Sequence, residues 1–190
     1  VLSRIVEAGI VSPVAREGKA MQLEGSCHCG AVVFSVEAPS PVPYMRCYCS
    51  ICRKIAGGGG YAINLGGDYR TLKVTGREFV KTYRVRLDRT EHGAQDPNAA
   101  RRKSSARRTF CGKCGSALWV YSPAWPGLVH PFASAIDTPL PKPPSLDHIM
   151  LDFAASWAEV PRGKHHRHFA RYPDLSLENW HKAHELWEGT

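Results

Sequence analysis

No stretch of this 190-residue chain approaches the roughly 20 consecutive apolar residues that cross a bilayer, so no transmembrane helix is read. Acidic residues are in the minority, 17 against 25 Lys and Arg, and the formal net charge of +8 suits an anionic small molecule or a polyanion. Nucleotide loops are missing too. The unbroken run Gly57–Gly60 lacks the spacing of a dinucleotide fingerprint or a phosphate loop, and reads as a connector. No aromatic residue is interleaved in the densest basic stretch, Arg101-Arg102-Lys103 followed by Arg107-Arg108. That stretch is therefore read as a solvated loop rather than a base-stacking surface, and nucleic acid is not expected as a partner. Residues 1–20 carry no apolar periodicity, nothing in them resembles a signal peptide, and the first methionine is Met21. They are expected to be an N-terminal extension, disordered or vector-derived, with residues 21–190 forming one domain.

Cysteine is absent everywhere except in three clusters: Cys27-His28-Cys29, Cys47-Tyr48-Cys49-Ser50-Ile51-Cys52, and Cys111-Gly112-Lys113-Cys114. One or two residues between cysteines lets a short loop aim both sulfurs at one ion with bonds of about 2.3 Å. Disulfides are the competing reading. The odd count, the lack of a signal-like leader and the very small ring of a Cys-x-Cys bridge all count against it. Reduced thiols of this kind give the cytoplasm as the expected compartment.

Cys47, Cys49 and Cys52 can supply three ligands from one loop, leaving Cys27, Cys29, Cys111 and Cys114 as a set of four. Four thiolates describe a closed structural Zn²⁺ site, whereas three protein ligands leave a coordination position for water or substrate. A partition joining Cys27 and Cys29 to two cysteines of the middle cluster stays open at this point, and an iron–sulfur cluster fits the spacings less well. Seven thiolates on two Zn²⁺ would still leave a net charge of roughly +5.

Ala31–Val36, Tyr61–Leu65, Leu72–Val74, Phe79–Val85, Ala117–Tyr121 and Ile149–Phe153 read as strands between turn residues. Residues 88–106 read as a long loop. Ser176 is placed to cap a terminal helix on which Trp180, Ala183, His184 and Trp187 recur at helical spacing before Gly189. The fold class is thus mainly β with a C-terminal helix.

The blocks Gly25-Ser26-Cys27-His28-Cys29-Gly30-Ala31-Val32, Cys47-x-Cys49-Ser50-x-Cys52-Arg53-Lys54 and Phe110-Cys111-x-x-Cys114-Gly115-Ser116 resemble the signature of the glutathione-dependent formaldehyde-activating enzyme family, which also contains centromere protein V. The resemblance spans roughly residues 21–170. It implies a β-tent zinc-binding fold, with Cys27, Cys29, Cys111 and Cys114 on a structural zinc and Cys47, Cys49 and Cys52 on a catalytic one. The implied activity is formation of S-(hydroxymethyl)glutathione from formaldehyde and glutathione, a carbon–sulfur lyase reaction with a small-molecule thiol and an aldehyde as partners. His130, in a His130-Pro131-Phe132 element similar to one in some members, is the candidate for proton transfer. Arg53 and Lys54 are candidates for the carboxylates of a glutathione-like ligand, and Phe132 for the wall of its pocket. His28, between two ligands, is read as an outward side chain, and Lys164–His168 as a surface strand. The alternative function is a zinc-stabilised binding module with a basic surface and no catalysis. Nothing in the sequence requires a membrane, and an oligomer is compatible with it without being legible.

Overall fold

The structure, a computed structural model, describes residues 20–39, 41–90 and 98–186. Among them the strands are Met21–Ser26 (β1), Val33–Ala38 (β2), Tyr44–Cys47 (β3), Ala62–Asn64 (β4), Gly67–Asp68 (β5), Lys73–Thr75 (β6), Val80–Tyr83 (β7), Arg107–Cys111 (β8), Ala117–Tyr121 (β9), Leu128–Pro131 (β10), Leu146–Ile149 (β11) and His166–His168 (β12). Two short helices, Ser50–Ala56 (α1) and Leu177–Ala183 (α2), complete the regular structure. The chain is mainly β with a C-terminal helix, as the turn-punctuated apolar runs require. No helix among the described residues is long and apolar enough to cross a membrane.

Three sheets form. β1, β2 and β6 pair antiparallel, and so do β5, β10, β9, β8 and β7 in that order. The third sheet, ordered β12-β11-β3-β4, is mixed, with β11 parallel to both of its neighbours. Period-two alternation decides the faces. Phe34, Val36 and Ala38 of β2 point inward while Val33 and Glu37 face solvent. Gly25 sits opposite Phe34, and a Cβ there would lie 2.3 Å from the Ala135 carbonyl, so only glycine lets these backbones approach.

Two apolar clusters fill the interior. Leu23, Phe34, Leu65, Leu118 and Trp119 anchor the first, with the Phe34 and Trp119 rings edge-on at 5.1 Å, and Cys27 and Cys111 belong to it. The second gathers Cys47, Cys49, Cys52, Val120, Phe132, Ile149 and Met150. Both sets of sulfurs are thus tied to a core.

Several elements differ from the sequence expectation. The strand expected over Ile149–Phe153 lies earlier, at Leu146–Ile149; the chain then turns left-handed at Met150 (φ 62°) into a 3₁₀ turn over Leu151–Phe153. It bends there because the amides of Met150 and Leu151 are taken by the carbonyls of Arg171 and Phe169. The middle cysteine cluster is not wholly a loop: Cys49 caps α1 and Cys52 lies in its first turn. Arg107 and Arg108 are not a solvated loop but β8, in which Arg107 is exposed and Arg108 is buried. In the stretch 88–106 the described residues hold 3₁₀ turns and the Lys103 end of an isolated bridge to Arg86, and residues 91–97 lie outside those described. The terminal helix is capped by Ser176, whose hydroxyl accepts from the Asn179 amide at 3.1 Å, and it buries Trp180 and His181. Trp187 and Gly189 lie outside the described residues, as do residues 1–19.

Candidate metal centre

Cys27 and Cys29 ride on the turn between β1 and β2, Cys111 ends β8, and Cys114 follows in the turn to β9. A glycine amide closes each turn, over three residues in the first and four in the second. The Gly30 amide donates to the Cys27 carbonyl at 2.9 Å, and the Gly115 amide to the Cys111 carbonyl at 2.8 Å. Both glycines have left-handed φ, 71° and 78°, a conformation that disfavours any residue with a Cβ. The Val32 amide donates to the Cys27 sulfur at 3.2 Å. Ser116 joins the two turns, its hydroxyl accepting from the His28 amide at 3.1 Å and standing 3.2 Å from the Cys114 sulfur. That hydroxyl and the Ser116 amide hold the Cys114 thiol down, at about 5.

The four sulfurs lie within 4.8 Å of one another. Cys27 to Cys29 is 3.6 Å and Cys29 to Cys111 is 3.9 Å. A tetrahedron with bonds of about 2.3 Å has edges of about 3.8 Å, so the donor set and spacing fit Zn²⁺. All seven cysteines are free thiols, and no disulfide competes. The His28 side chain is exposed, pointing out of the turn as its position between two ligands suggested.

Cys47, Cys49 and Cys52 also bring their sulfurs within 4.8 Å of each other, and all three are buried. Cys47 ends β3, clamped between Ala62 of β4 and Ile149 of β11. The Tyr48 amide donates to the Ile149 carbonyl at 3.0 Å, turning the chain so that Cys49 begins α1. The Cys52 amide then points at the Cys49 sulfur at 3.4 Å. Hydrogen bonds from the Cys47 and Cys52 thiols hold the Cys49 thiol far down, to about 2, and the Cys47 thiol is pushed up in exchange. One sulfur of the trio is therefore disposed to be a thiolate, the form in which cysteine binds metal.

The trio lines a cavity of about 550 Å³ whose other walls include Val120, Ile149, Trp125, His130, Arg108 and Asp147. The His130 Nδ1 lies 3.0 Å from the Leu65 carbonyl. A carbonyl only accepts, so Nδ1 carries the proton and Nε2 keeps a lone pair. Burial pushes the His130 pKa below its usual value. Trp125 stands edge-on to the ring with centroids 6.0 Å apart.

The other candidate residues are placed elsewhere. Phe132 is buried in the apolar cluster behind the trio and is not among the lining residues of the cavity; Arg53 is half-buried and Lys54 exposed on α1, also outside that lining. Gly57–Gly60 follows α1 as a connector, Gly57 being required where a Cβ would meet the Tyr61 carbonyl at 2.2 Å. Arg108 and Asp147 escaped the sequence reading. The basic run around Arg108 masked the one member that turns inward, and Asp147 carried no motif.

The chain has similar proteins of known family and structure. The family model described as glutathione-dependent formaldehyde-activating enzyme matches residues 22–151, which contain all seven cysteines and His130. A Halomonas elongata protein that carries the same family's name is 53% identical over 169 residues, covering 89% of this chain and 100% of its own. A crystal structure of a Rhodobacter sphaeroides protein is similar at 25% identity and a TM-score of 0.45, over 62% of this chain and 89% of that one. With its match across most of the chain and its two cysteine sets in place, this protein belongs to the glutathione-dependent formaldehyde-activating enzyme family.

Proposed function

We propose that the chain is a zinc-dependent carbon–sulfur lyase that joins a thiol, glutathione in the first instance, to formaldehyde or a related aldehyde. The observation that carries this reading is the meeting of three buried sulfurs on the wall of a cavity large enough for small reactants. Cys27, Cys29, Cys111 and Cys114 would hold a structural Zn²⁺, and Cys47, Cys49 and Cys52 a second one. When bound to three thiolates, Zn²⁺ supplies a Lewis acid with a position left for an incoming thiol or carbonyl oxygen.

The chain's own contribution is placement and proton handling. The cavity holds thiol and aldehyde together, converting a bimolecular encounter into a reaction within one complex. His130 Nε2 takes the thiol proton as the S–C bond forms. The carbonyl π pair moves to oxygen, which takes the proton back from the imidazolium, so the histidine ends neutral. Its lowered pKa keeps the ring unprotonated and ready near pH 7. A cytoplasmic setting, rich in reduced thiols, suits this chemistry.

Cys49→Ser tests the assignment. The variant should stay folded, lose about one Zn²⁺ per chain, and lose turnover of formaldehyde with glutathione. Full turnover in Cys49→Ser would refute the role of the trio.

A second reading has one observation in its favour. Arg84, Arg86, Lys103 and Arg107 line a groove of about 570 Å³ along β7 and β8. A binding module with architectural zinc would use such a basic groove for a polyanion. Steeply salt-dependent binding of a nucleic acid, without turnover of any thiol and aldehyde, would favour it.

A further inference from the structure

Arg108 is the cation that the cavity does not explain. Its Cα pairs with Tyr83 on one side and Val120 on the other, deep in the five-stranded sheet. The residue is 9% exposed and lines the same cavity as the cysteine trio. Two of its nitrogens, Nε and Nη1, are buried without a hydrogen-bond partner. No carboxylate among the described residues pairs with it. The buried acid of the same cavity, Asp147, is already held by Arg167 through bonds of 2.7 and 2.6 Å. A guanidinium keeps its proton in protein surroundings, so neutralisation by deprotonation is closed to it. The Cys52 thiol feels this charge through space, yet no acceptor meets Nε or Nη1, and burying unmade donors is costly unless a ligand supplies acceptors.

A second observation points the same way. Trp180, brought by α2 to the lining of this cavity, leaves its Nε1 hydrogen bond unmade as well. Arg108 and Trp180 offer only donors. The cavity therefore holds unmet donors and wants acceptors. Arg46 and Arg53 each leave Nε unpartnered too, but neither lines the cavity.

We propose that Arg108 is the carboxylate-binding residue of the cavity, so that its thiol substrate is an anionic one whose carboxylate sits on this guanidinium while its sulfur faces Cys47, Cys49 and Cys52. The inference rests on the reading of the cavity as a thiol-handling site, and assigns to Arg108 the part expected of Arg53 and Lys54. A carboxylate on a buried guanidinium makes charge-assisted bonds in a low-dielectric setting, which favours acids over their esters.

The test uses the full chain and the variants Arg108→Gln and Arg108→Lys, each checked for folding by circular dichroism and for zinc content. Calorimetric titration with glutathione and with glutathione diethyl ester, without aldehyde, reads binding alone. The wild-type protein should bind glutathione at least 10-fold more tightly than the ester. Arg108→Gln should abolish that preference, and Arg108→Lys should retain part of it. In turnover with formaldehyde, Arg108→Gln should raise KM for glutathione about 10-fold or more, leaving kcat and the KM for 2-mercaptoethanol near wild type. Equal affinity of the wild-type protein for acid and ester overturns the proposal. So does a fall in kcat with both thiols at unchanged KM, which would make Arg108 a counter-charge to the trio. A preserved acid-over-ester preference without turnover would sink the reaction proposed above and leave the role of Arg108 standing.

Discussion

Asp147 and Arg167 face each other across the parallel strands β11 and β12, joined by two bonds of 2.7 and 2.6 Å. The carboxylate is almost wholly buried and the guanidinium about one-third exposed. Fork-to-fork geometry of this kind fixes the register of the edge strand as well as its charge. The basic run Lys164–His168 thus joins the sheet through one cation while its neighbours remain near the surface.

Removing one partner strands the other. Arg167→Ala should lower stability by about 2 to 3 kcal/mol, because Asp147 would be left charged and buried. For a domain of this size the melting temperature should fall by about 5 to 10 °C. The double variant Asp147→Asn with Arg167→Ala should recover part of that loss. Calorimetric melting that leaves Arg167→Ala at the wild-type temperature would refute the pairing.

Acid stability should carry the mark of His148. The side chain is fully buried, with Nδ1 2.9 Å from the Tyr48 hydroxyl and Nε2 2.9 Å from His166 Nδ1. His168 stacks on it with ring centroids 5.0 Å apart. Burial first, then the nearby His168, Arg46 and His166, hold the His148 pKa down to about 4. The unfolded chain binds this proton below about pH 6.5 and the folded chain does not. Stability is therefore whole above that pH, falls by up to about 1.4 kcal/mol per pH unit, and stops falling from this source below about 4. Urea midpoints measured from pH 7.5 to 4.5 for wild type and His148→Gln should diverge, with the variant the less pH-dependent. Parallel curves would exclude His148 as a source.

The two cysteine sets should answer differently to loss of a ligand. Cys29 and Cys111 are 82 residues apart, and a crosslink closing such a loop offsets on the order of 4 kcal/mol of chain entropy. Cys111→Ser should thus unfold or melt far earlier than Cys49→Ser, whose cluster is also held by β3, β4 and β11. Metal content and melting temperature measured on both variants decide the matter. Equal stability of the two would argue against a structural role for the tetrad.

Much of this was legible in the residues because cysteine spacing is a local signal with a chemical cause. Short loops that aim paired sulfurs at one point made a partition into four and three readable beside one other, and the fold brings together the four and the three. Ala117–Tyr121 was legible to the residue as an apolar run ending in turn residues. Arg108 was not, since inward pointing in a run of cations depends on the phase of a strand whose partners lie elsewhere in sequence. The strand at Leu146–Ile149 was displaced because Asp147 and His148 look like surface residues until Arg167 and Tyr48 supply their partners. Groupings carried by spacing along the chain could be read there, and groupings made by contacts between distant segments could not.

The distance in sequence between the two halves of the tetrad also sets an order of events at the ribosome. Cys29 leaves the peptidyl-transferase centre 82 residues ahead of Cys111, a delay of about 4 to 16 s at ordinary elongation rates. During that interval Cys27 and Cys29 share the nascent chain with Cys47, Cys49 and Cys52, and not yet with the pair that completes their set. The first hairpin and the five-stranded sheet become one body only after β8 has emerged.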